Sequence, residues 1–235
     1  MDFLASTLLG RIHDAIHGFG QRVPGTREAA RESAGRTFAA AGEVFFLKQV
    51  HGCAVVRPPW SGPPEADVSV TETPGQLLAI ETADCLPLLI ADPVARRVAA
   101  VHAGWRGTAA GVSRAAVSAL VASGSKPGDL FVALGPAIGP CCYEVGRDVE
   151  QAFGPEGARY FVPGRAERKH LDLADANRDQ LIEMGVRPDR IDALNLCTRC
   201  RGDLFFSYRR DSAEAGRMIS VIGLLKPAAW PALRS

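Results

Sequence analysis

Short apolar runs broken by turn residues dominate the middle of the chain. EVFFLKQV (43–50), ADVSV (66–70), QLLAIET (76–82), LPLLIAD (86–92) and RRVAAVHAG (96–104) are too short for helices and are bounded by Gly, Pro, Asp or Thr, so they predict strands. DLFVALGPAIG (129–139) predicts a buried strand entering a Gly/Pro loop, and ALNLC (193–197), LFFSY (204–208) and RMISVIGLL (217–225) predict closing strands. The period lengthens over 108–123, where Ala and Val recur at helical spacing behind Thr108, a side chain able to cap a first turn. Helices also fit 147–153 and 173–184, the latter with Asp172 as N-cap and Gly185 as its stop. Residues 1–42 are helix-prone and interrupted by Gly18, Gly20, Pro24 and Gly25, with a short strand at 16–22. His51-Gly52 opens a turn before 53–56, and PPWSGPPEA (58–66) reads as a surface connection.

No repeat, low-complexity segment or linker divides this pattern, and 235 residues can enclose a large core. The expected fold class is α+β, one domain over 1–235, with a central β-layer and helices outside it. A hydrophobic fraction of 47% and a charged fraction of 23% are those of a soluble globular protein. Lys plus Arg is 27 against 26 acids, a net charge of +1, so no global field gathers nucleic acid or an anionic membrane. The N-terminus lacks the basic region of a signal peptide, and no apolar run approaches the ~18–20 residues a membrane span needs. Six cysteines in this length do not form a secreted disulfide framework. A cytoplasmic protein with reduced thiols is expected, acting as a monomer or small homo-oligomer.

Candidate chemistry concentrates at strand ends. Of five histidines, His13, His17 and His170 lie in polar or helix-prone surroundings, whereas His51 and His102 each follow an apolar run and precede small residues. Cys85, in TADCLP, begins another such run. Two imidazoles and a thiolate from three strand ends make a three-ligand metal site with one position open, which suits catalytic rather than structural zinc. Their separations of 34 and 17 residues match no zinc-finger spacing, so the site would be assembled by tertiary folding. Taken singly, each of these residues also suits a structural role, and a buried cysteine is often inert.

HAGWRGT (102–108) places Trp105 and Arg106 between glycines, so a planar guanidinium fork for phosphate or carboxylate would stand beside the metal. In GPAIGPCCYEVG (135–146), Tyr143 and Glu144 are candidate polar contacts. Cys141-Cys142 with Cys197 and Cys200 could supply four thiolates, but a CC pair facing CxxC promises poor geometry. Reduced cysteines at strand ends are therefore the expectation. FFSYRRD (205–211) reads as a solvated edge strand or a second anion contact.

QVHG, ADCLP, HAGWRGT, GPAIGPCCYEVG, CTRC and FFSYRRD followed by GR occur in this order over about residues 16–223. Together they resemble the YfiH/YlmD-type purine nucleoside phosphorylase family, also called laccase-domain or multicopper polyphenol oxidase proteins. The resemblance implies a single α+β domain of layered α/β/β/α type, similar to the catalytic domain of a bacterial deamidating (CNF-type) toxin. It implies phosphorolysis of adenosine, inosine and guanosine, with 5′-methylthioadenosine phosphorolysis and adenosine deamination as companion activities. It carries zinc ligands onto His51, Cys85 and His102. The family's opening Gly-Gly-Val-Ser segment is missing from FGQRVPGTR (19–27), where Arg22 matches the opening arginine.

The expected reading is thus a Zn²⁺ enzyme whose partners are purine nucleosides and phosphate. Cys85 and a carboxylate, Asp84 first and Glu144 second, would serve the chemistry. Arg106 would take the anion, with Arg22 and Arg209 in support. A copper-dependent phenol oxidase is one rival, since copper binds almost any nitrogen/sulfur site tightly, yet two convenient histidines are few for a multicopper centre. A metal-free Cys85–His102 hydrolase or deamidase is another, because a neighbouring His lowers a thiol pKa. A non-enzymatic binding protein is the third.

Overall fold

The computed structural model describes residues 2–164 and 168–226. Among the described residues, fourteen strands run in chain order as β1 (Phe3–Leu4), β2 (Ala15–Gly20), β3 (Glu43–Phe46), β4 (Val55–Val56), β5 (Val68–Thr71), β6 (Gln76–Thr82) and β7 (Leu86–Asp92). They continue as β8 (Arg97–Ala103), β9 (Phe131–Leu134), β10 (Glu144–Val145), β11 (Phe161–Pro163), β12 (Lys169–Leu171), β13 (Ile191–Ala193) and β14 (Met218–Leu224). The α-helices are α1 (Arg27–Phe38), α2 (Trp105–Ala109), α3 (Val112–Ala122), α4 (Arg147–Phe153), α5 (Leu173–Glu183) and α6 (Tyr208–Asp211).

One sheet has the order β1-β2-β14-β6-β3, a second β13-β9-β7-β8-β5-β4, and a small third sheet β10-β12-β11. Alternation along the central strands builds the layers. In β7, Leu89 and Ala91 face the space between the two large sheets, while Leu88 and Ile90 face the core shared with α3 and α5. In β6, Leu78 and Ile80 join the inter-sheet core, and Leu77 and Ala79 join Ala30, Ala34 and Phe38 of α1 on the opposite face. Because β6, β7 and β8 are buried on both faces, they read as continuous apolar runs rather than alternating ones. The result is α1, first sheet, second sheet, then α3 and α5: the α/β/β/α sandwich that the family resemblance implies.

Five local expectations change. The strand expected over 43–50 ends at Phe46, beyond which Lys48 makes only an isolated bridge to Glu65. The single helix expected over 108–123 is two, parted at Gly111, whose φ of +86° is left-handed. Thr108 does not cap: α2 starts earlier, after Gly104, and the buried Thr108 hydroxyl accepts from Asn177 Nδ2 at 2.9 Å. LFFSY is not a strand, since Ser207 caps α6 by accepting from Arg210 N, and Phe205 and Phe206 pack with Met218. Its apolar run reflects burial of two aromatics on irregular backbone. Of ALNLC only Ala193 lies in a strand, because Asn195 turns the chain at a φ of +52°.

Candidate metal centre

The β7–β8 hairpin pairs Pro87 with His102, so Cys85, just ahead of β7, lies beside the end of β8. β5 runs antiparallel on the other side of β8 and brings Asp67, at its start, against His102. His51 arrives from the loop after β3. One potential ligand atom from each of His51, Cys85 and His102 lies within 4.8 Å of the others. His51 Nε2 is 3.9 Å from Cys85 Sγ, and the two imidazoles meet edge to face with centroids 4.8 Å apart. Gly104 makes room for this meeting. A Cβ there would stand 2.8 Å from His51 Cδ2 and 3.2 Å from Cys85 Sγ.

Asp67 organises the site, and sequence reading passed over it. Its Oδ1 lies 2.7 Å from His102 Nδ1 and accepts from His51 N at 2.9 Å. Its Oδ2 accepts from Gly52 N at 2.7 Å and from Val50 N at 3.2 Å. With Nδ1 held by the carboxylate, His102 presents Nε2 as its ligand nitrogen, the carboxylate–histidine arrangement common around bound metals. The same contacts fix the His51 backbone, which sits at a left-handed φ of 62°. The only available sequence signal was an acid at the foot of a buried strand.

Electrostatics favour a thiolate. Burial pushes the Cys85 thiol up, but the charges and hydrogen bonds of His102 and His51 outweigh it and bring it down to about 6. Burial alone would depress His102, yet the Cys85 charge and the Asp67 bond lift it to about 9. Two nitrogens and one soft sulfur, mutually close and opening on a cavity, suit a tetrahedral divalent ion with one position left for a further ligand.

The cavity has a volume of about 500 Å³ and is lined by all three residues together with Asp84, Trp105, Arg106, Tyr143, Tyr208 and Arg209. Arg106 stacks its guanidinium 4.1 Å above the Trp105 ring and, among the described residues, joins no ion pair. Asp84 adopts a left-handed φ of 90°, with Oδ1 accepting from Thr198 Oγ1 at 2.6 Å and Oδ2 from Arg209 N at 2.7 Å. Strain of this kind in a non-glycine residue concentrates at functional sites. Arg209 also donates from Nη1 to Glu144 O at 2.6 Å and lies over Tyr143. Glu144 lies outside this lining, in the adjoining cavity that Trp105, Arg106, Tyr143 and Arg209 also border, where its carboxylate pairs with Arg168.

Arg22 is not brought to the cavity: it donates to Gly202 O and stacks on Phe206. The cation that the altered opening segment delivers is Arg27, which with Arg31 binds the buried Glu81 carboxylate. Arg217, in the GR after FFSYRRD that sequence reading offered as part of a second anion contact, also lines the cavity, as does Gln49, which sequence reading missed; Gln49 clasps the Glu81 backbone through both amide atoms. His17 lies in β2 as acceptor for Ser6 N, and His170 holds Pro140 O, so neither faces the centre. The four cysteines outside this centre are free thiols, as expected, but the poor geometry expected of a CC pair facing CxxC is not what the structure shows. Cys141, Cys142, Cys197 and Cys200 converge, with ligand atoms all within 4.8 Å of one another.

The chain is similar to several known proteins. The chain is 45% identical over 202 residues to a Deinococcus radiodurans protein named purine nucleoside phosphorylase, covering 86% of this chain and 78% of that one. It is 35% identical to the Escherichia coli K12 purine nucleoside phosphorylase YfiH, covering 94% and 93% of the two chains. The crystal structure of YlmD from Geobacillus stearothermophilus superposes with a TM-score of 0.86 at 30% identity, over 96% of this chain and 97% of that one. Residues 20–225 match the family described as multi-copper polyphenol oxidoreductase laccase, and the chain belongs to that family.

Proposed function

We infer that this protein is a zinc-dependent purine nucleoside phosphorylase acting on adenosine, inosine and guanosine, with 5′-methylthioadenosine as a further substrate and adenosine deamination as a companion activity. The observation that carries the reading is the convergence of His51, Cys85 and His102 in a cavity that also holds aromatic faces and arginines. The names of the relatives from Deinococcus and Escherichia coli support the phosphorylase assignment.

Phosphorolysis forms a bond from a phosphate oxygen to the ribose C1′ and breaks the bond from C1′ to the purine nitrogen. Positive charge builds on the sugar and negative charge on the departing base. His51, Cys85 and His102 would hold the ion, which when bound supplies a Lewis acid at its remaining coordination position. Arg106 is assigned to the phosphate, since a guanidinium fork matches two of its oxygens and is already oriented by the Trp105 face. Arg209 supports it, oriented through its backbone by Asp84 and through its side chain by Glu144 O. Tyr143 and Trp105 offer flat apolar surfaces for a purine. Asp84 is the first candidate to move a proton to or from the base, because it adjoins Cys85 and lines the cavity. Glu144 is the second, in the adjoining cavity.

Copper oxidation is the reading to test against. Two histidines and a cysteine are also the equatorial donors of blue-copper sites, which add a weak axial methionine. No methionine is among the described residues lining this cavity. The deciding experiment incubates the purified chain with adenosine, with and without phosphate, beside elemental analysis and Cys85→Ala. Adenine released only with phosphate, together with bound zinc, supports phosphorolysis, and inosine reports deamination. Oxygen uptake with a phenol at stoichiometric copper, or full nucleoside turnover by metal-free Cys85→Ala, overturns the assignment.

A further inference from the structure

Four cysteines outside the nucleoside cavity come together at one point of the surface. Cys141 and Cys142 lie in the loop between β9 and β10, Cys197 and Cys200 in the turns after β13. Cys200 Sγ is 3.7 Å from Cys141 Sγ and 3.4 Å from Cys142 Sγ, and all four sulfurs lie within 4.8 Å of one another. Hydrophobic burial does not account for the gathering, because Cys141 and Cys200 are exposed and the other two only partly covered. A disulfide, with sulfurs ~2.05 Å apart, would join only two. A tetrahedral ion with ~2.3 Å bonds to sulfur separates its ligands by ~3.8 Å, the scale seen here.

The backbone is already arranged for such an occupant. Ala137 and Cys197 form a parallel bridge, with Ala137 N donating to Leu196 O and Thr198 N to Ala137 O. Gly139 N points at Cys197 Sγ at 3.4 Å, a donor suited to a thiolate that keeps part of its charge. Cys142 N donates to Gly139 O at 2.9 Å, folding the CC pair back toward the CxxC turn.

We propose that Cys141, Cys142, Cys197 and Cys200 bind a structural zinc ion, distinct from the ion of the His51–Cys85–His102 centre. Four thiolates leave no open position, so the role is mechanical: the ion ties the 135–143 loop to the 195–201 loop. Both loops hold Asp84, Ile138 N donating to its carbonyl at 2.9 Å and Thr198 Oγ1 to its carboxylate at 2.6 Å. The first loop also carries Tyr143 into the nucleoside cavity. The second ion would therefore brace the residue next to Cys85 without meeting substrate.

The test uses the full chain, N-ethylmaleimide and mass spectrometry that reads each cysteine peptide separately. Exposed thiols react quickly unless held by a metal or a disulfide. Expected is protection of all four cysteines in the untreated protein and with a phosphine reductant alone, and alkylation at least roughly tenfold faster once a chelator is added. Elemental analysis should show C141S/C200S losing about one zinc per chain while Cys85 keeps its protection. Rapid alkylation of untreated Cys141 and Cys200, release by reductant alone, an unchanged zinc content in the variant, or iron in place of zinc each overturns the proposal. Should the variant fail to fold, the labelling of the unmodified chain decides the matter by itself. Because Cys85 is followed on its own peptide, failure at the four-cysteine site is distinguishable from failure at the first centre.

Discussion

Asp67 accepts from four groups at once, the amides of residues 50, 51 and 52 and the His102 ring, and so fixes two of the three candidate metal ligands. Asp67→Asn keeps the shape but loses the charge and one acceptor. Metal affinity, measured by competition with a chromophoric chelator, should fall about 10–100-fold while the fold persists. An unchanged affinity would show that the carboxylate does not act on the ion. In chelated protein Cys85 is the thiol whose ionisation the two imidazoles assist. Its iodoacetamide reactivity should be high above pH of about 6 and decline below it, because protonation removes the nucleophile. A reactivity midpoint in the ordinary thiol range would contradict that electrostatic reading. At this scale the sequence showed which side chains carry chemistry, since a thiol and an imidazole at strand ends are conspicuous. It did not show Asp67, because an acid at a strand foot resembles any turn residue until the neighbouring strand is in place.

At the scale of elements, the break at Gly111 sets where Arg106 stands. α2 carries Trp105 and Arg106 beside the cavity, and α3 then departs on its own course against the second sheet. Two buried hydrogen bonds of Asn177 in α5 hold the junction, one accepted from Ser113 Oγ at 2.7 Å and one donated to Thr108 Oγ1 at 2.9 Å, while a third, to Leu173 O, stays within α5. Asn177→Ala strands two buried hydroxyls and leaves a void, so unfolding free energy from denaturant titration should drop by about 3 kcal/mol. A loss under about 0.5 kcal/mol would mean that the network relaxes onto other partners. The sequence pattern gave one helix over 108–123 because Ala and Val continue the helical period straight through the glycine. Likewise, Phe205 and Phe206 suggested a strand, although capping by Ser207 turns the following residues into α6. In the first place a single glycine's backbone conformation outweighed the hydrophobic pattern, and in the second a single side-chain cap did.

For the molecule as a whole, the candidate metal sites gather at strand ends and in the loops beside them, and the sandwich beneath them has its own core. Metal removal should lower stability without abolishing the fold. An ion present at ~1,000 times its dissociation constant adds ~4 kcal/mol per site if it binds only the folded chain. A chelator should therefore lower the thermal midpoint, and zinc should restore it. A midpoint insensitive to both would show that neither site binds metal tightly. The net charge of +1 leaves little long-range attraction for phosphate, so the proposed anion capture rests on Arg106 and Arg209, which line the cavity. Arg106→Ala should raise the KM for phosphate about tenfold or more while leaving bound zinc unchanged.

What the sequence determined by itself was periodicity and chemical type. Doubly buried strands appear as unbroken apolar runs, helical faces as longer spacings, and His51, Cys85 and His102 as ligand types at the ends of those runs. Tertiary structure alone decided which distant groups meet: Asp67 with His102 across the β5–β8 pair, Arg27 rather than Arg22 at the cavity, and four cysteines from two loops around a common point. The reason is that periodicity records the environment of each residue one at a time, whereas a ligand set is a coincidence in space. That coincidence is fixed by sheet order, strand register and a few left-handed backbone positions, and none of these leaves a period in the chain.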